Sequence, residues 1–470
     1  MTLNSSGPIS LGGSTTGQSI NLELGFSATA LASINSTSFR TLAGVASGQI
    51  SLSNFYGKSN TTYFFASFKP PNQNYYAGHS INSSNGNIVF AVWSNSSSPY
   101  YTTVYRVATS GSLIGYNTFS LPGYVAFNDV NGIGQATIVV DTSCTVYGGG
   151  GNTLFTKYSP VTSTWYFSQA NSFYTSHGIT KTNGTNFYTD YQKNLNCCGC
   201  LVAGIIGYNS SGAIVSNYAS NGGAQVLSFT YDGASSFYVT TNYPSIIKQT
   251  TSSISWLWSL PNSYLASTIS ANTTYMGFTQ SNSQSIALYN IASATNTTPP
   301  TKIALYNVSG VSTLYSQNSA CCYDTSNNFY YLQALTYPGH YGFLITKLNS
   351  SGTVQWQRSF TAYLNNLSNN TQTSSHCITA GSTYLTISYT DANSGIGLIQ
   401  YPLDGSKTGS YNAGVFYIVV AASSYTYTVN TANGGNGLST AGTAYSASIT
   451  CTYTATTGVS VSSTNTFTTI

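Results

Sequence analysis

The chain has 470 residues, of which only 4% are charged, with 12 Lys+Arg against 8 Asp+Glu and a net charge of +4; an ordinary globular domain carries about 25% charged residues. No Lys/Arg cluster occurs anywhere, which excludes a nucleic-acid footprint. No apolar run reaches the roughly 18 residues of a membrane-spanning helix, and 40 Tyr, 21 Phe and 5 Trp supply enough apolar area to exclude a disordered chain.

A surface this poor in charge has to be wetted by Ser, Thr, Asn, Gln and Tyr. Neutral hydrogen-bonding groups are little affected by salt screening, so the composition suits a salty medium. The start, Met1-Thr-Leu-Asn-Ser-Ser-Gly, lacks the basic and apolar regions of a secretory signal; a location outside the cell then implies release within a particle or by lysis. Glu, Lys and Met are scarce, and Asn, Ser, Thr and Gly separate the apolar runs. The composition reads as all-β.

Residues 1–60 stand apart from the rest. Ile9-Ser-Leu-Gly-Gly-Ser and Ile20-Asn-Leu-Glu-Leu read as short extended pieces. Ser38 is expected to cap a short helix through Leu42 and Ala43 that Gly44 ends. A second short turn is expected from Ser51 or Ser53, carrying Phe55 and Tyr56 inward before Gly57. So few large apolar groups make a marginal core, and such a module calls for a partner or further copies of itself.

The segment Leu42-Ala-Gly-Val-Ala-Ser-Gly-Gln-Ile-Ser-Leu-Ser-Asn-Phe-Tyr-Gly-Lys58, preceded by Ser14-Thr-Thr-Gly-Gln-Ser-Ile-Asn-Leu-Glu-Leu-Gly25, resembles a leader found in tail-fibre and other structural proteins of tailed phages, many of them marine. The resemblance covers residues 1–60. It implies a virion component made in the bacterial cytoplasm and exposed outside the cell on a tail or surface appendage. Residues 1–60 would then be the attachment or oligomerisation module, with Phe55, Tyr56 and Lys58 as attachment residues. The other virion proteins are the implied partners, and a homo-oligomer, by analogy with fibres a trimer, the implied assembly.

Residues 61–412 repeat at a period of about fifty residues. Seven positions, Arg106, Lys157, Gly207, Lys248, Leu305, Lys347 and Gln400, mark one strand of the unit. Aromatic or apolar pairs ending at Phe90, Tyr147, Tyr188, Tyr238, Met276, Tyr330 and Leu385 mark another. Upstream apolar residues Ile81, Ile138, Ile179, Phe229, Ile269, Cys322 and Ile378 mark the innermost. Four short strands per repeat predict a seven-bladed β-propeller; a β-sandwich, or a pair of them, is the alternative. The copy Lys347-Leu-Asn-Ser-Ser-Gly-Thr-Val-Gln-Trp356 is similar to strands of quinoprotein-like propellers, a likeness at the level of the blade that implies no cofactor.

Residues 413–470 form a third, β-rich segment. They are expected either to close the ring or to make an intersubunit contact. The strand Tyr63–Phe68 competes for the closing role.

The chemistry points to binding. A glycosidase needs two carboxylates about 5–10 Å apart, yet Glu23 is the sole Glu, and Asp141, Asp232 and Asp324 read as Asx-turn caps. No nucleophile elbow, zinc-protease motif or phosphate loop occurs, so neither catalysis nor a cofactor is expected. His79, His177 and His376 are placed just before inner strands, as hydrogen-bonded rim or channel residues rather than metal ligands. Cys197-Cys198-Gly-Cys200 is too cramped for zinc, and free thiols are expected in a reducing cytoplasm. The loops joining second to third strands, and one blade to the next, collect Tyr100, Tyr101, Tyr124, Tyr191, Tyr243, Tyr337, His340 and Tyr341. Tyr gives a flat apolar face with a hydroxyl at small entropy cost, which suits a neutral host-surface glycan or receptor. The alternatives are a purely structural connector or decoration protein and, on the carboxylate count a poor third, a polysaccharide depolymerase.

Overall fold

The computed structural model describes residues 3–58 except 16, 25 and 46, and beyond residue 63 the strands given below with the turns at 232–235, 272–274, 291–295, 298–300, 324–328, 349–353, 381–383 and 403–408. It divides into two compact units, Met1–Tyr63 and Phe64–Ile470.

The first unit holds helix α1 (Ile20–Glu23), helix α2 (Thr37–Ala43) and a 3-10 turn at Leu52–Phe55. The extended reading of Ile20-Asn-Leu-Glu is corrected: Ser19 Oγ accepts the Leu22 N–H at 3.3 Å, and this local cap turns the chain into a helix. Helix α2 begins at Thr37, so Ser38 lies inside its first turn rather than capping it, and the helix ends as expected, with Gly44 at φ +73 and the Val45 N–H bonded to Arg40 O at 3.0 Å. Arg40 staples the loop that follows, donating to Asn35 Oδ1 and Gly48 O, each at 3.0 Å. Leu3, Ile20, Phe39, Leu42, Ala43 and Phe55 make the core, with Phe39 and Phe55 edge-to-face at 6.1 Å.

In the second unit β1 (Phe64–Phe68) is followed, among the described residues, by strands of seven antiparallel sheets. The first sheet contains β2 (Tyr75–Asn82), β3 (Ile88–Ser94), β4 (Thr102–Val107) and β5 (Leu113–Phe119). The second contains β6 (Val125–Asp129), β7 (Ala136–Asp141), β8 (Thr153–Tyr158) and β9 (Tyr166–Gln169). In the third, β10 (Phe173–Tyr174) and β11 (Thr180–Thr182) share β12 (Asn186–Leu195), followed by β13 (Cys200–Asn209) and β14 (Ile214–Ser220). The fourth runs β15 (Val226–Tyr231), β16 (Ser236–Thr241), β17 (Ser245–Thr250) and β18 (Ile254–Ser259). The fifth runs β19 (Ala266–Ala271), β20 (Tyr275–Gln280), β21 (Ser285–Asn290) and β22 (Thr301–Val308). The sixth has β23 (Ser319–Tyr323), β24 (Phe329–Tyr337), β25 (His340–Leu348) and β26 (Val354–Ala362); the seventh has β27 (Ile378–Ala380), β28 (Tyr384–Thr390) and β29 (Ile396–Pro402). The fourth place in the seventh sheet is filled by β1, which pairs with β29 from Phe64 opposite Gln400 to Phe68 opposite Ile396.

The innermost strands are neighbours in chain order, β2 beside β6, β6 beside β11, then β15, β19, β23 and β27, which lies beside β2. Sheets stacked on both faces need side chains on both faces of each middle strand. Phe237 and Val239 of β16 pack with Tyr188, Ile205 and Phe229, whereas the intervening Tyr238 packs with Trp258, Ile269 and Met276. In β21 the same alternation sends Ala287 and Tyr289 one way, and Ile286 and Leu288 the other, against Phe329 and Tyr331. Burying each such side chain stabilises the fold by about 1.5–3 kcal/mol.

A bulge recurs where the third strand pairs with the fourth, after Arg106, Gly207, Lys248, Leu288 and Lys347. It corrects two landmarks. In the fifth sheet Leu288 stands where Leu305 was expected, and Leu305 belongs to the fourth strand. In the second sheet Ile138 and Asp141 lie on β7, the second strand, not on the innermost strand and its turn. Every strand of a meander carries the same period-two pattern, so a landmark slips by one strand without disturbing the alternation. Ile179, Tyr147 and Cys377 lie outside the described residues.

The segment from residue 409 supplies β30 (Gly409–Asn412), β31 (Tyr417–Ala422), β32 (Tyr427–Val429), β33 (Ser439–Thr440), β34 (Tyr453–Ala455) and β35 (Phe467–Thr469). Among the described residues it makes no sheet of its own. These strands join the sixth, fifth, fourth, second and seventh sheets as outermost members.

Two substitutions probe this packing. Phe55→Ala is expected to destabilise the first unit by about 3–5 kcal/mol, read as faster proteolysis of residues 1–58 in the full chain. Gly277 faces the ring of Phe329, where an added Cβ would lie 2.4 Å from Phe329 Cε2 and 2.8 Å from Leu288 Cδ2. Gly277→Ala is accordingly expected to cost about 1–3 kcal/mol, seen as a lower urea midpoint.

Candidate functional site

The densest polar chemistry among the described residues is a cluster repeated on two sheets. In the sixth, Tyr330, Lys347 and Trp356 stand opposite one another across β24, β25 and β26; in the fourth, Tyr238, Lys248 and Trp256 do so across β16, β17 and β18. The Lys347 ammonium lies 5.4 Å from the centroid of the Tyr330 ring, and that of Lys248 lies 5.5 Å from Tyr238. An Asp sits in the preceding turn of each sheet. Asp232 Oδ1 accepts the N–H groups of Ala234, Ser235 and Ser236 at 2.8, 2.9 and 3.0 Å. Asp324 Oδ1 accepts from Ser326 and Asn328 N–H, both at 2.8 Å, while its Oδ2 takes Asn328 Nδ2 at 2.8 Å and the Tyr330 hydroxyl at 2.9 Å. These are the Asx turns expected of Asp232 and Asp324.

On the sixth sheet the turn at 403–408 lies over the cluster. Leu403 O accepts from Lys347 Nζ and Trp356 Nε1, each at 3.1 Å, and Arg358 Nε donates to Gly405 O at 2.8 Å. Gly405, at φ +67, rests on the indole, where a Cβ would be 2.7 Å from Trp356 Cδ2. Burial lowers the Lys347 ammonium from its ordinary range against the opposing pull of Asp324 and Asp404. Burial first, then Asp324, pushes the Tyr330 phenol up. A lysine shifted in this direction by burial is the type that can serve as a base or nucleophile. Here its donors are directed to a carbonyl and its flanks are filled, so the geometry makes it a pin that holds the 403–408 turn. A saturated carboxylate such as Asp324 likewise has no lone pair in hand for general acid or base work.

A second polar feature links the innermost strands of the fifth and sixth sheets. Thr268 Oγ1 and Thr279 Oγ1 are 2.9 Å apart, Thr279 Oγ1 and Ser319 Oγ 3.0 Å, and Thr268 Oγ1 lies 3.6 Å from Cys321 Sγ. Small hydroxyls and a thiol fit where strands crowd together. Cys321 is thus buried and its neighbour Cys322 half-buried. No group of three His, Cys, Asp or Glu side chains able to hold a metal occurs among the described residues.

Tyr100, Tyr101, Tyr124 and Tyr243 lie outside the described residues, as do His177 and His376. Tyr191 is not in a loop: it is a ladder position of β12 opposite Gly204. Tyr337 and His340 are the closing pair of the β24–β25 hairpin, with Tyr341 opposite Thr336, so these three belong to strands at the hairpin tip. Hairpins here extend their pairing almost to the turn, which is why a Tyr-rich stretch read as loop proves to be strand. His79 falls inside β2, in the irregularity between Ala77 and Ser80, rather than before the strand. Of the leader residues, Phe55 is a core side chain, whereas Tyr56 is exposed and donates its hydroxyl to Gly7 O at 2.7 Å, and Lys58 is exposed with its carbonyl taking the Leu3 N–H at 2.8 Å.

Sequence reasoning used Lys248 and Lys347 as repeat markers and overlooked the cluster they build. The available signal was an Asp followed six residues later by Tyr, at Asp232/Tyr238 and Asp324/Tyr330, each ahead of a Lys and a Trp on the next two strands.

No family model matches the chain, and no curated protein does. Among solved structures the chain is similar to the WD40 β-propeller domain of Doa1, with 9% identity and a TM-score of 0.39 over 72% of this chain and 97% of that one. It is similar to Saccharomyces cerevisiae Sqt1, at 10% identity and a TM-score of 0.39 over 72% and 98% of the two chains. The Pyrococcus horikoshii acylaminoacyl peptidase matches at 8% identity and a TM-score of 0.36, over 61% of this chain and 51% of that one. These likenesses bring no ligand and no activity to this chain.

Two outcomes test the cluster. Asp324→Ala removes a charged acceptor and is expected to cost about 1.5–3 kcal/mol, measured by denaturant unfolding. Burial raises the Tyr289 phenol from its ordinary 10.0 to about 12. The folded chain keeps that proton where the unfolded chain loses it, so stability is full below pH 10 and falls as pH rises toward 12. Thermal melts should record this alkaline loss, and Tyr289→Phe should make it shallower.

Proposed function

We propose that the chain is a phage virion protein, a tail fibre or surface appendage subunit, whose second unit is a seven-bladed β-propeller that binds a neutral glycan or receptor on the host surface without catalysing a reaction. The single observation that supports this most is the arrangement of the second unit. Seven antiparallel sheets have innermost strands that neighbour one another in chain order, and the chain's own first strand, β1, completes the last sheet. A propeller of this kind presents its second-to-third-strand hairpins together on one rim. The β24–β25 hairpin, tipped by Tyr337, His340 and Tyr341, belongs to that rim.

The first unit is read as the attachment module. Leu11, Phe26, Leu31, Leu52 and Tyr56, the large apolar side chains exposed among the described residues, all lie within it, and Leu31 is fully exposed. A small unit that leaves such side chains in water is suited to burying them against another protein. Tyr56 and Lys58 are available on that surface, and Phe55 acts from inside, by holding the fold. Binding is favoured over depolymerisation because Asp232 and Asp324 spend their carboxylates on turn N–H groups.

The test is a glycan array with the purified full chain. Binding to a set of neutral glycans is expected, weakened at least tenfold by combined Tyr337→Ala and Tyr341→Ala with the melting temperature unchanged. An array blank against host polysaccharides, with the protein still present on particles by immunogold labelling, would make it a connector. Release of reducing ends from host polysaccharide would make it an enzyme. Leu31→Asp is expected to lower incorporation into particles while leaving glycan binding intact.

A further inference from the structure

The outer edge of a β-sheet is a row of unpaired N–H and C=O groups, a template for any passing strand. Proteins usually guard such edges with Lys, with inward charges or with Pro. This chain has little charge to spend. The outermost core strands β18, Ile254-Ser-Trp-Leu-Trp-Ser259, and β1, Phe64-Phe-Ala-Ser-Phe68, carry neither a charge nor a Pro. Segments of that composition are the ones that pair with further copies of themselves.

The C-terminal segment meets each of these edges in turn. Strand β31 pairs antiparallel with β26 of the sixth sheet, from Ile418 opposite Ala362 to Ala422 opposite Arg358. Strand β32 pairs with β22 of the fifth sheet, Thr428 opposite Asn307, and β33 with β18 of the fourth, Thr440 opposite Trp258. Strand β34 then pairs with β9 of the second sheet, Thr454 opposite Ser168, and β35 with β1 of the seventh, Thr468 opposite Ser67. The order is sixth, fifth, fourth, second and then seventh sheet, always beside the last strand of the core sheet and always antiparallel. From 413 to 470 the sequence holds no Asp, Glu, Lys, Arg, His or Pro and is rich in Thr, Ser and Tyr. Such a run can donate an N–H at every residue and has high β-propensity.

We propose that strands β31 to β35 are an edge-guarding strap, and that their removal turns the outer edges they cover into strand-addition surfaces for a second copy of this chain. The strap takes the place of the missing charges on five sheets, whose outer edges it pairs with backbone of the same molecule. Apart from β31, each contact is two or three residue pairs long, so the strap holds by many weak contacts in series rather than one strong one. The inference needs only the strand pairing and is independent of the ring and of any virion role.

The test compares the full chain with a chain ending at residue 425, which keeps β31 and loses β32 to β35. Light scattering across a hundredfold range of concentration is expected to give one constant mass for the full chain and, for the shortened one, a mass that at least doubles. Adding the 426–470 polypeptide in trans should suppress that growth. A constant mass for the shortened chain, with amide exchange at Ile254–Ser259 and Thr301–Val308 no faster than in the full chain, would overturn the proposal. If the shortened chain does not fold, amide exchange on the full chain decides. Tyr427–Val429 and Ser439–Thr440 are expected to exchange at least tenfold more slowly than an unstructured peptide, and exchange at the unstructured rate would equally overturn it.

Discussion

Two-sided burial of the middle strands is the constraint on which the second unit depends. In β16 the side chains of Phe237 and Val239 fill the space toward one neighbouring sheet while Tyr238 fills the space toward the other, and β21 repeats the arrangement with Ile286 and Leu288 against Ala287 and Tyr289. Among the described residues the fourth and fifth sheets are therefore buried on both faces. Each is stabilised by the pair that encloses it, which is why the same four-strand unit can be repeated with large changes of residue type and still pack.

Stacking on both faces solves the face problem and leaves the edges. With so few charges, the usual protection of an edge strand is missing, and backbone takes its place: β1 fills the last position of the seventh sheet, and strands from the C-terminal segment lie outside it and four others. The two ends of the second unit are thus tied into sheets built from the middle of the chain. Low charge and wrapped edges are two sides of one solution, since a surface wetted by Ser, Thr, Asn and Tyr has nothing else with which to repel a foreign strand.

The few charged groups are used with economy. Asp232 and Asp324 close turns, Lys248 and Lys347 lie over tyrosine rings, and Arg358 ties Trp356 to the turn at Gly405. In an interior of low dielectric each of these contacts is stronger than it would be in water, and each would be costly to leave half-made. These five side chains serve architecture.

The sequence alone determined what composition and short-range chemistry can dictate. That covers a mostly-β chain, a repeat of about four strands, the Asx turns at Asp232 and Asp324, and the glycine stop after Ala43. These are local matters, set by side chains within a few residues of the backbone they act on. It misjudged Ile138 and Leu305 by one strand because every strand of a meander has the same alternation, and Tyr191, Tyr337, His340 and Tyr341 because loop and strand share a composition here. Only the tertiary structure decided that Tyr330, Lys347, Trp356 and the Leu403 carbonyl meet, that β1 rather than the tail completes the seventh sheet, and that the tail runs along the outer edges. Those outcomes depend on hydrogen bonds between residues far apart in the chain. A β-strand offers the same N–H and C=O groups to any partner, so its sequence does not say which edge it will find.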